Sequence, residues 1–349
     1  MNLGVFLPNW IGDVAMATPT LRALRRQWPH ARLTGIMRPY VAEVLAGTPW
    51  LDEMLFYDPR SGDSDRQGWR FVRQLRAARL DTAVLLTNSW RTGMLAWLSG
   101  APRRVGYARN GRGWLLTDRL YVPRGMRKTP APVLDYYLEL AYELGCTTES
   151  PRLELATTPI DEAAADVAWQ RLRLPAGRQV IAINSGGAFG SAKLWPTEYF
   201  VELARRIVRQ TDRAVLVLCG PSERDIARQI VQAASDERVV SLADEPVSIG
   251  LTKACVRRSR LLVTTDSGPR HFAAAFDVPV ITLFGPTHIA WSENHYRRAV
   301  HLQHRVDCGP CQQRACPLGH HRCMRDLTVD DVFRTVAATL NQERHADAA

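Results

Sequence analysis

At 349 residues the chain exceeds the length at which a single hydrophobic core stops growing, so two domains are expected. Its 46% hydrophobic and 23% charged residues exclude general disorder. No run approaches ~18 uninterrupted apolar residues, and the start MNLGVFLPNW lacks the regions of a signal peptide, so a cytoplasmic protein is expected. The formal net charge of +10 points to an anionic partner: nucleic acid, an anionic membrane face or an acidic glycolipid. No nucleic-acid-binding module accompanies the charge, which disfavours the first of these.

Residues 3–7 read as a short apolar strand ending at Pro8. Asn9-Trp10-Ile11-Gly12-Asp13-Val14 then turns into a helix over 15–28, with Leu21 and Leu24 on its buried face. Asp13 sits at or near that helix N-terminus, where the dipole favours an ionised carboxylate. It is either a capping group or a general base. Strands over 33–37 and 82–87 and helices over 41–45, 68–79 and 133–144 continue the alternation, which implies a parallel, doubly wound sheet. Residues 91–128 hold nine basic side chains, among them Arg91, Arg109 and Arg112, against Asp118 alone. That stretch is either a solvated basic surface or an anion-binding face. Neither the GxGxxG nor the GxxxxGK[ST] phosphate loop occurs, which disfavours nicotinamide and ATP-hydrolysis chemistry.

After a polar linker over 147–159 the pattern restarts, with a helix over 161–172, a strand over 180–184 and the small-residue turn Ser185-Gly186-Gly187-Ala188. Lys193 follows, then a helix over 197–210, a strand over 214–219, the turn Gly220-Pro221-Ser222-Glu223 and a helix over 224–234. Lys193 offers a point charge to a diphosphate and Glu223 an acceptor to ribose hydroxyls. The alternatives are a surface lysine and a first-turn helix carboxylate. Residues 260–287 form a compact strand–turn–helix–strand unit around Asp266-Ser267-Gly268-Pro269. This turn either caps a helix or cradles a phosphate, since small residues beyond a parallel strand let a ligand approach the backbone. A helix over 328–340 closes the chain, with Val332, Val336 and Leu340 along one side. Cys308, Cys311, Cys316 and Cys323, with His320 and His321, have the density of a metal knuckle but not its paired spacing, and reduced thiols in a compact loop are preferred.

The segments PNWIGDVAMATPTLRALR, SGGAFGSAKLWP, TTDSGPRHFAAAF with LFGPT, and CGPCQQRACPLGHHRCM together resemble glycosyltransferase family 9, the heptosyltransferases of lipopolysaccharide inner-core synthesis. The resemblance runs from residue 1 to about residue 340. It implies an α/β, GT-B fold: two Rossmann-like doubly wound domains facing a central cleft, at 1–155 and 156–327, with a C-terminal helix over 328–349 crossing back to the first. It implies an inverting, metal-independent and cofactor-free transfer of heptose from ADP-L-glycero-β-D-manno-heptose to the first heptose of the core on heptosyl-Kdo2-lipid A. Asp13 would be the general base, and Lys193 would hold the donor diphosphate with Ser267 and Gly268. Asp266 would contact the donor sugar, Glu223 the ribose, Ser185 and Leu242 the phosphate and adenine pockets, and His271 completes the DSG-x-x-H motif on the donor side. Ser267 stands where the family has Thr, and His288-Ile289 where many relatives have Asp-Pro. Arg91, Arg109 and Arg112 are expected on the acceptor, in a monomer that touches the anionic inner face of the inner membrane and no nucleic acid. The competing expectations are a family member adding another heptose, an acceptor-independent sugar-nucleotide epimerase or hydrolase, and a non-catalytic binding protein.

Overall fold

The computed structural model describes residues 1–122, 129–176, 179–187 and 189–348. The chain divides into two compact units, Met1–Ala156 with Glu293–His295, and Thr157–Ser292 with the chain from Tyr296 onward. Arg124, Arg127 and Lys128 of the basic stretch, and Ala188, lie outside the described residues.

In the first unit β1 (Asn2–Phe6), β2 (Arg32–Met37), β3 (Glu53–Phe56), β4 (Thr82–Leu85), β5 (Arg103–Tyr107) and β6 (Asp118–Leu120) form one sheet. All its pairings are parallel, in the order β3-β2-β1-β4-β5-β6. The helices are α1 (Ile11–Met16), α2 (Thr18–Gln27), α3 (Ala42–Leu45), α4 (Gly68–Ala77), α5 (Trp90–Leu98) and α6 (Val133–Glu143). Phe71, Val72 and Leu75 of α4 and Leu95 and Ala96 of α5 pack with Phe6, Ile36, Ala83 and Leu85 of the sheet in one core. The 149–154 segment is fastened to α2 by the Arg22 guanidinium, which donates to Ser150 O (2.6 Å) and Arg152 O (3.0 Å) and pairs with Glu149.

The single helix expected over 15–28 is two helices, beginning earlier at Ile11 and broken at Ala17. The break has a covalent cause. Pro19 has no N–H to give Ala15 O, and the Thr18 hydroxyl donates there instead at 2.8 Å. The earlier start places Asp13 in the first turn of α1.

In the second unit β7 (Val180–Asn184), β8 (Ala214–Leu218), β9 (Val239–Ser241), β10 (Leu261–Thr265), β11 (Val280–Phe284) and β12 (Ala299–Gln303) repeat the topology, again all parallel, in the order β12-β11-β10-β7-β8-β9. Helices α7 (Pro159–Arg171), α8 (Thr197–Thr211), α9 (Arg224–Ala234), α10 (Ile249–Arg258), α11 (Pro269–Ala275), α12 (Arg322–Arg325) and α13 (Val329–Ala348) accompany it. Val332, Val336 and Leu340 of α13 are buried, and the helix packs along α8. In each unit the strand order reverses between two central strands, β1 and β4 or β7 and β10, and the turns leaving those strands are where such sheets bind ligands.

The strands that sequence periodicity leaves out are β3, β5, β6, β9 and β12. They are short, carry charges such as Glu53, Arg103, Arg104 and Arg119, or, as in β12, have largely half-exposed side chains. An edge or near-edge strand takes its backbone bonds from a neighbour and leaves its side chains half-exposed, so it needs no apolar run.

Trp195 anchors the end of the second unit. It is buried against Tyr199 and Phe200 in edge-on contacts, and its indole N–H donates to Leu327 O at 2.8 Å. Trp195→Phe leaves that carbonyl unpaired, so a loss of about 1–3 kcal/mol is expected, read as a lower urea midpoint with unchanged m-value.

Candidate active site

The second unit gathers its polar groups where β7 and β10 end. Lys193 lies in a 3-10 turn, Ser191–Lys193, and is only 9% exposed, which sets aside the surface-lysine alternative. Its ammonium donates to Asp266 Oδ2 (2.6 Å) and to Asp266 O (3.1 Å), and it lies 4.7 Å from the centre of the Phe189 ring. Asp266, equally buried, also accepts from Thr287 Oγ1 (2.8 Å) and Ser292 Oγ (3.0 Å), with Arg270 Nη1 at 3.7 Å from its other oxygen. Arg270 is held in turn by Ser292 O and by the face of Phe284. Burial pushes the Asp266 carboxyl up, but the charges of Lys193 and Arg270 and the hydrogen bonds outweigh it and hold the group below the ordinary carboxylate range.

Neither Asp266 nor Ser267 caps α11, whose N-cap is Gly268 and has no side-chain cap bond. Ser267 Oγ accepts from Asn184 Nδ2 (2.9 Å) and lies 3.0 Å from Thr264 Oγ1, tying the ends of β7 and β10 together. Ser185, the residue after β7, is buried, and its hydroxyl has no hydrogen-bond partner among the described residues. Glu223 accepts from Gly220 N–H at 2.7 Å, closing its own turn, and its carboxylate lies against Gly186. A Cβ on Gly186 would come within 2.2 Å of that carboxylate, so only glycine lets these two strand-end turns meet. Leu242 and His271 are buried, Leu242 just beyond β9 and His271 within α11.

The cysteine segment packs directly on the Lys193 turn. Ala192, the neighbour of Lys193, donates its N–H to Arg314 O (3.0 Å) and accepts at its carbonyl from His321 Nε2 (2.8 Å). Gly190, at φ 153°, passes so close to Arg314 that a Cβ would lie 2.3 Å from its carbonyl oxygen. The Arg314 guanidinium stacks 5.6 Å from the Phe189 ring that also faces Lys193. The four thiols are free, and among the described residues no three His, Cys, Asp or Glu side chains converge to hold a metal ion.

In the first unit Asp13 is half-buried in the turn after β1, beside α6. Burial and then the nearby Asp13 charge push the Tyr137 hydroxyl well above its ordinary value, so that it stays protonated at neutral pH. Arg91 and Arg109 are exposed. Arg112 is not: it is 0% exposed, and its guanidinium donates to Tyr107 O (3.0 Å), Ser89 O (3.2 Å) and Asn88 Oδ1 (3.1 Å). Burial pulls its pKa down to about 10, which still leaves it charged at neutral pH. The expectation of Arg112 on an acceptor is therefore corrected: it props the turn that leaves β4. Sequence reading also passed over Tyr137, Phe189, Arg270, Ser292 and His321 as site residues. Thr287 ends the quoted LFGPT segment, but no local pattern announces its bond to Asp266.

A cavity of about 850 Å³ opens between α7 and α10, lined by Trp169, Arg173, Arg257 and Arg258 among others. It lies toward the amino edge of the sheet, where those helices run into β7 and β10, and Arg257 and Arg258 are already paired with Glu162 and Asp166. Arg257 and Arg258 are thus engaged by acids of α7, and the cavity lies away from the carboxyl edge of the sheet, where such sheets bind ligands.

Two Rossmann-like units, each with polar turns at a strand-order reversal, define a GT-B-type protein. The solved structure of E. coli ADP-heptose LPS heptosyltransferase II shares this fold, with a TM-score of 0.81, 22% identity, and coverage of 99% of this chain and 100% of that one. The sequence profile of glycosyltransferase family 9 (heptosyltransferase) matches residues 68–322. The chain belongs to that family and is a glycosyltransferase. It is 26% identical to lipopolysaccharide heptosyltransferase 2 of Salmonella typhimurium, and equally to that of Escherichia coli, over 98% of this chain and 99% of each relative. No helix among the described residues is long and apolar enough to cross a membrane.

The Asp266 network predicts a pH-dependent stability. A carboxyl depressed on folding stabilises the protein above its unfolded pKa of about 3.9, and that stabilisation is lost as pH falls through the folded value. Asp266→Asn strands two cations, with an expected loss of about 3–5 kcal/mol at neutral pH. Urea midpoints of wild type and variant should therefore differ widely at neutral pH and converge as the pH falls below the ordinary carboxylate range.

Proposed function

We propose that this glycosyltransferase moves a heptose from ADP-L-glycero-β-D-manno-heptose to the first heptose of the lipopolysaccharide inner core, inverting the anomeric centre. The observation that carries the reading is the buried Lys193–Asp266 pair at the β7/β10 reversal, with the unpartnered Ser185 hydroxyl in the turn beside it. A buried cation with one counter-charge, next to an unsatisfied hydroxyl and small-residue turns, suits a diphosphate. The relatives named heptosyltransferase 2 over nearly their whole length support the choice of sugar and acceptor.

In this reading the second unit holds the donor. Lys193 and Ser185, with Ser267 and Gly268, take the diphosphate; Glu223 takes the ribose; Leu242 walls the adenine. Asp266, its oxygens already engaged by Lys193, Thr287 and Ser292, acts mainly by aiming the ammonium, with its sugar contact secondary. His271 supports the same turn from within α11. The first unit serves the acceptor. Asp13 takes the proton from the acceptor hydroxyl as that oxygen bonds to the anomeric carbon, and the bond from that carbon to the β-phosphate oxygen breaks. The electron pair leaves with ADP, whose growing negative charge Lys193 offsets. Arg91 and Arg109 meet the phosphates and acidic sugars of the core at an anionic membrane surface.

The test is ADP release from ADP-heptose with and without a core acceptor bearing one heptose. Acceptor-dependent release supports the transferase, while release without acceptor would move the protein to a hydrolase or epimerase. Asp13→Ala should keep ADP affinity by calorimetry and lose about 10²–10⁴-fold in turnover; unchanged turnover removes Asp13 from the mechanism. Lys193→Ala should raise the donor KM about ten- to hundredfold, the worth of a charge-assisted hydrogen bond, and a wild-type KM would place the diphosphate elsewhere.

A further inference from the structure

The first unit carries an exposed aromatic face that neither donor nor acceptor chemistry uses. Five of the chain's ten tryptophans are substantially exposed, and all five belong to this unit. Four of them, Trp69, Trp90, Trp97 and Trp114, come from one side of the sheet. Helices α4 and α5 pack on the same core beneath them, and Arg76 Nε of α4 donates to Leu98 O of α5 at 2.9 Å. The 3-10 turn Gly113–Leu115 lies beside α5, where Gly93 gives Leu115 room to approach.

Helix α5 has the wrong outer face for a helix that meets only water. Leu95 and Ala96 point into the core, yet Trp90, Met94 and Trp97, at spacing i, i+4 and i+7, form a second apolar stripe on the other side. Trp97 is 48% exposed and Trp69, at the start of α4, 65%. Such indoles, apolar with a polar N–H, favour the boundary between lipid headgroups and acyl chains.

The charge around them has one sign. Residues 68–117 hold nine arginines and a single acid, Asp81, which is turned to the Asn2 backbone N–H. Arg70, Arg73 and Arg76 lie on the exposed face of α4 with Trp69, and Arg91 stands next to Trp90. The acids that flank this stretch, Asp63, Asp65 and Asp118, pair with Arg66, Arg70 and Arg103. Parallel topology also sets the direction. The starts of α4 and α5, and the turn after β5, lie at the carboxyl edge of the sheet, the edge that carries Asp13 after β1.

We propose that the outer face of α4 and α5, with Trp114, is a docking surface for an anionic lipid bilayer, the indoles entering the headgroup layer while the arginines meet lipid phosphates. This deepens the functional reading and rests on it in one respect: a lipid-linked acceptor must be reached at the surface in which it is anchored.

The test uses the full-length protein and vesicles without any sugar acceptor, so that it does not depend on the transferase reading. Sedimentation is compared for phosphatidylglycerol/phosphatidylethanolamine and for pure phosphatidylcholine vesicles, at low and high salt. Wild type is expected to bind the anionic vesicles selectively and to be released by salt. Arg73→Gln should weaken partition about fivefold, the contribution of one basic residue near an anionic surface. Trp97→Ser should weaken it further while leaving the melting temperature and turnover on a short soluble acceptor unchanged. Equal binding to neutral vesicles, no binding, or variants that bind as wild type does would overturn the proposal. A concentration-dependent dimer dissolved by Trp97→Ser would overturn it too, assigning the face to a second copy of the chain. Vesicle binding by a wild type that transfers no heptose would leave this surface standing and the transferase reading fallen.

Discussion

One buried carboxylate organises the second unit. Asp266 is taken out of water at the end of β10, a position that disfavours its charge unless other groups replace the lost hydration. The replacements come from separate stretches of chain: Lys193 from the turn after β7, Arg270 from α11, Thr287 from the turn after β11, and Ser292 from the segment that follows it. Each is fixed by the need to satisfy the same group, so the strand ends cannot drift apart without exposing a charge to an apolar interior. The ammonium of Lys193 is thereby aimed before any ligand arrives. Pre-orientation of this kind is what a diphosphate-binding cation requires, because little reorganisation then remains to oppose binding.

The same topology occurs twice, with strand-end turns propped by groups of opposite charge. Both sheets reverse strand order between two central strands, and both keep small or polar residues in the turns beyond. In the first unit the prop is a cation, Arg112, whose guanidinium lies beneath Asn88 and Ser89. In the second it is an anion. A buried arginine held by carbonyl and amide oxygens draws no ionic partner to its turn among the described residues, whereas Asp266 draws cations to the strand ends. The cysteine segment extends the second arrangement, since both backbone groups of Ala192 are bonded to it through Arg314 and His321. The position of Lys193 therefore depends on residues more than a hundred positions further along the chain.

The distribution of exposed aromatics separates the two units as clearly as their charges do. The second unit buries Trp195 and half-buries Trp169 and Trp291, while the first unit leaves Trp69, Trp90, Trp97 and Trp114 open beside its arginines. A face of indoles among arginines is suited to a lipid headgroup layer rather than to water alone.

Much of the fold was legible in the residues alone. The central strands are apolar runs because a parallel sheet covered on both faces has no solvent side, and the helices between them carry one apolar stripe, so alternation and the two-unit architecture followed from periodicity. The turns at Asp13, Ser185, Glu223 and Asp266 were legible as turns, since small and polar residues directly after an apolar strand mark its end, while the choice between a helix cap and a ligand contact was left open by the residues alone. The edge strands were not, because backbone pairing rather than side-chain burial holds them. Only the tertiary structure decided that Lys193 is buried and paired, that Arg112 is a prop beneath a turn, that Asp266 does not cap its helix, and that Trp90 and Trp97 share an exposed stripe with Trp69 beside it. Each of these is a matter of which distant residue stands opposite. A sequence states the charge and the shape of a side chain, but burial and partnership are properties of the folded neighbourhood.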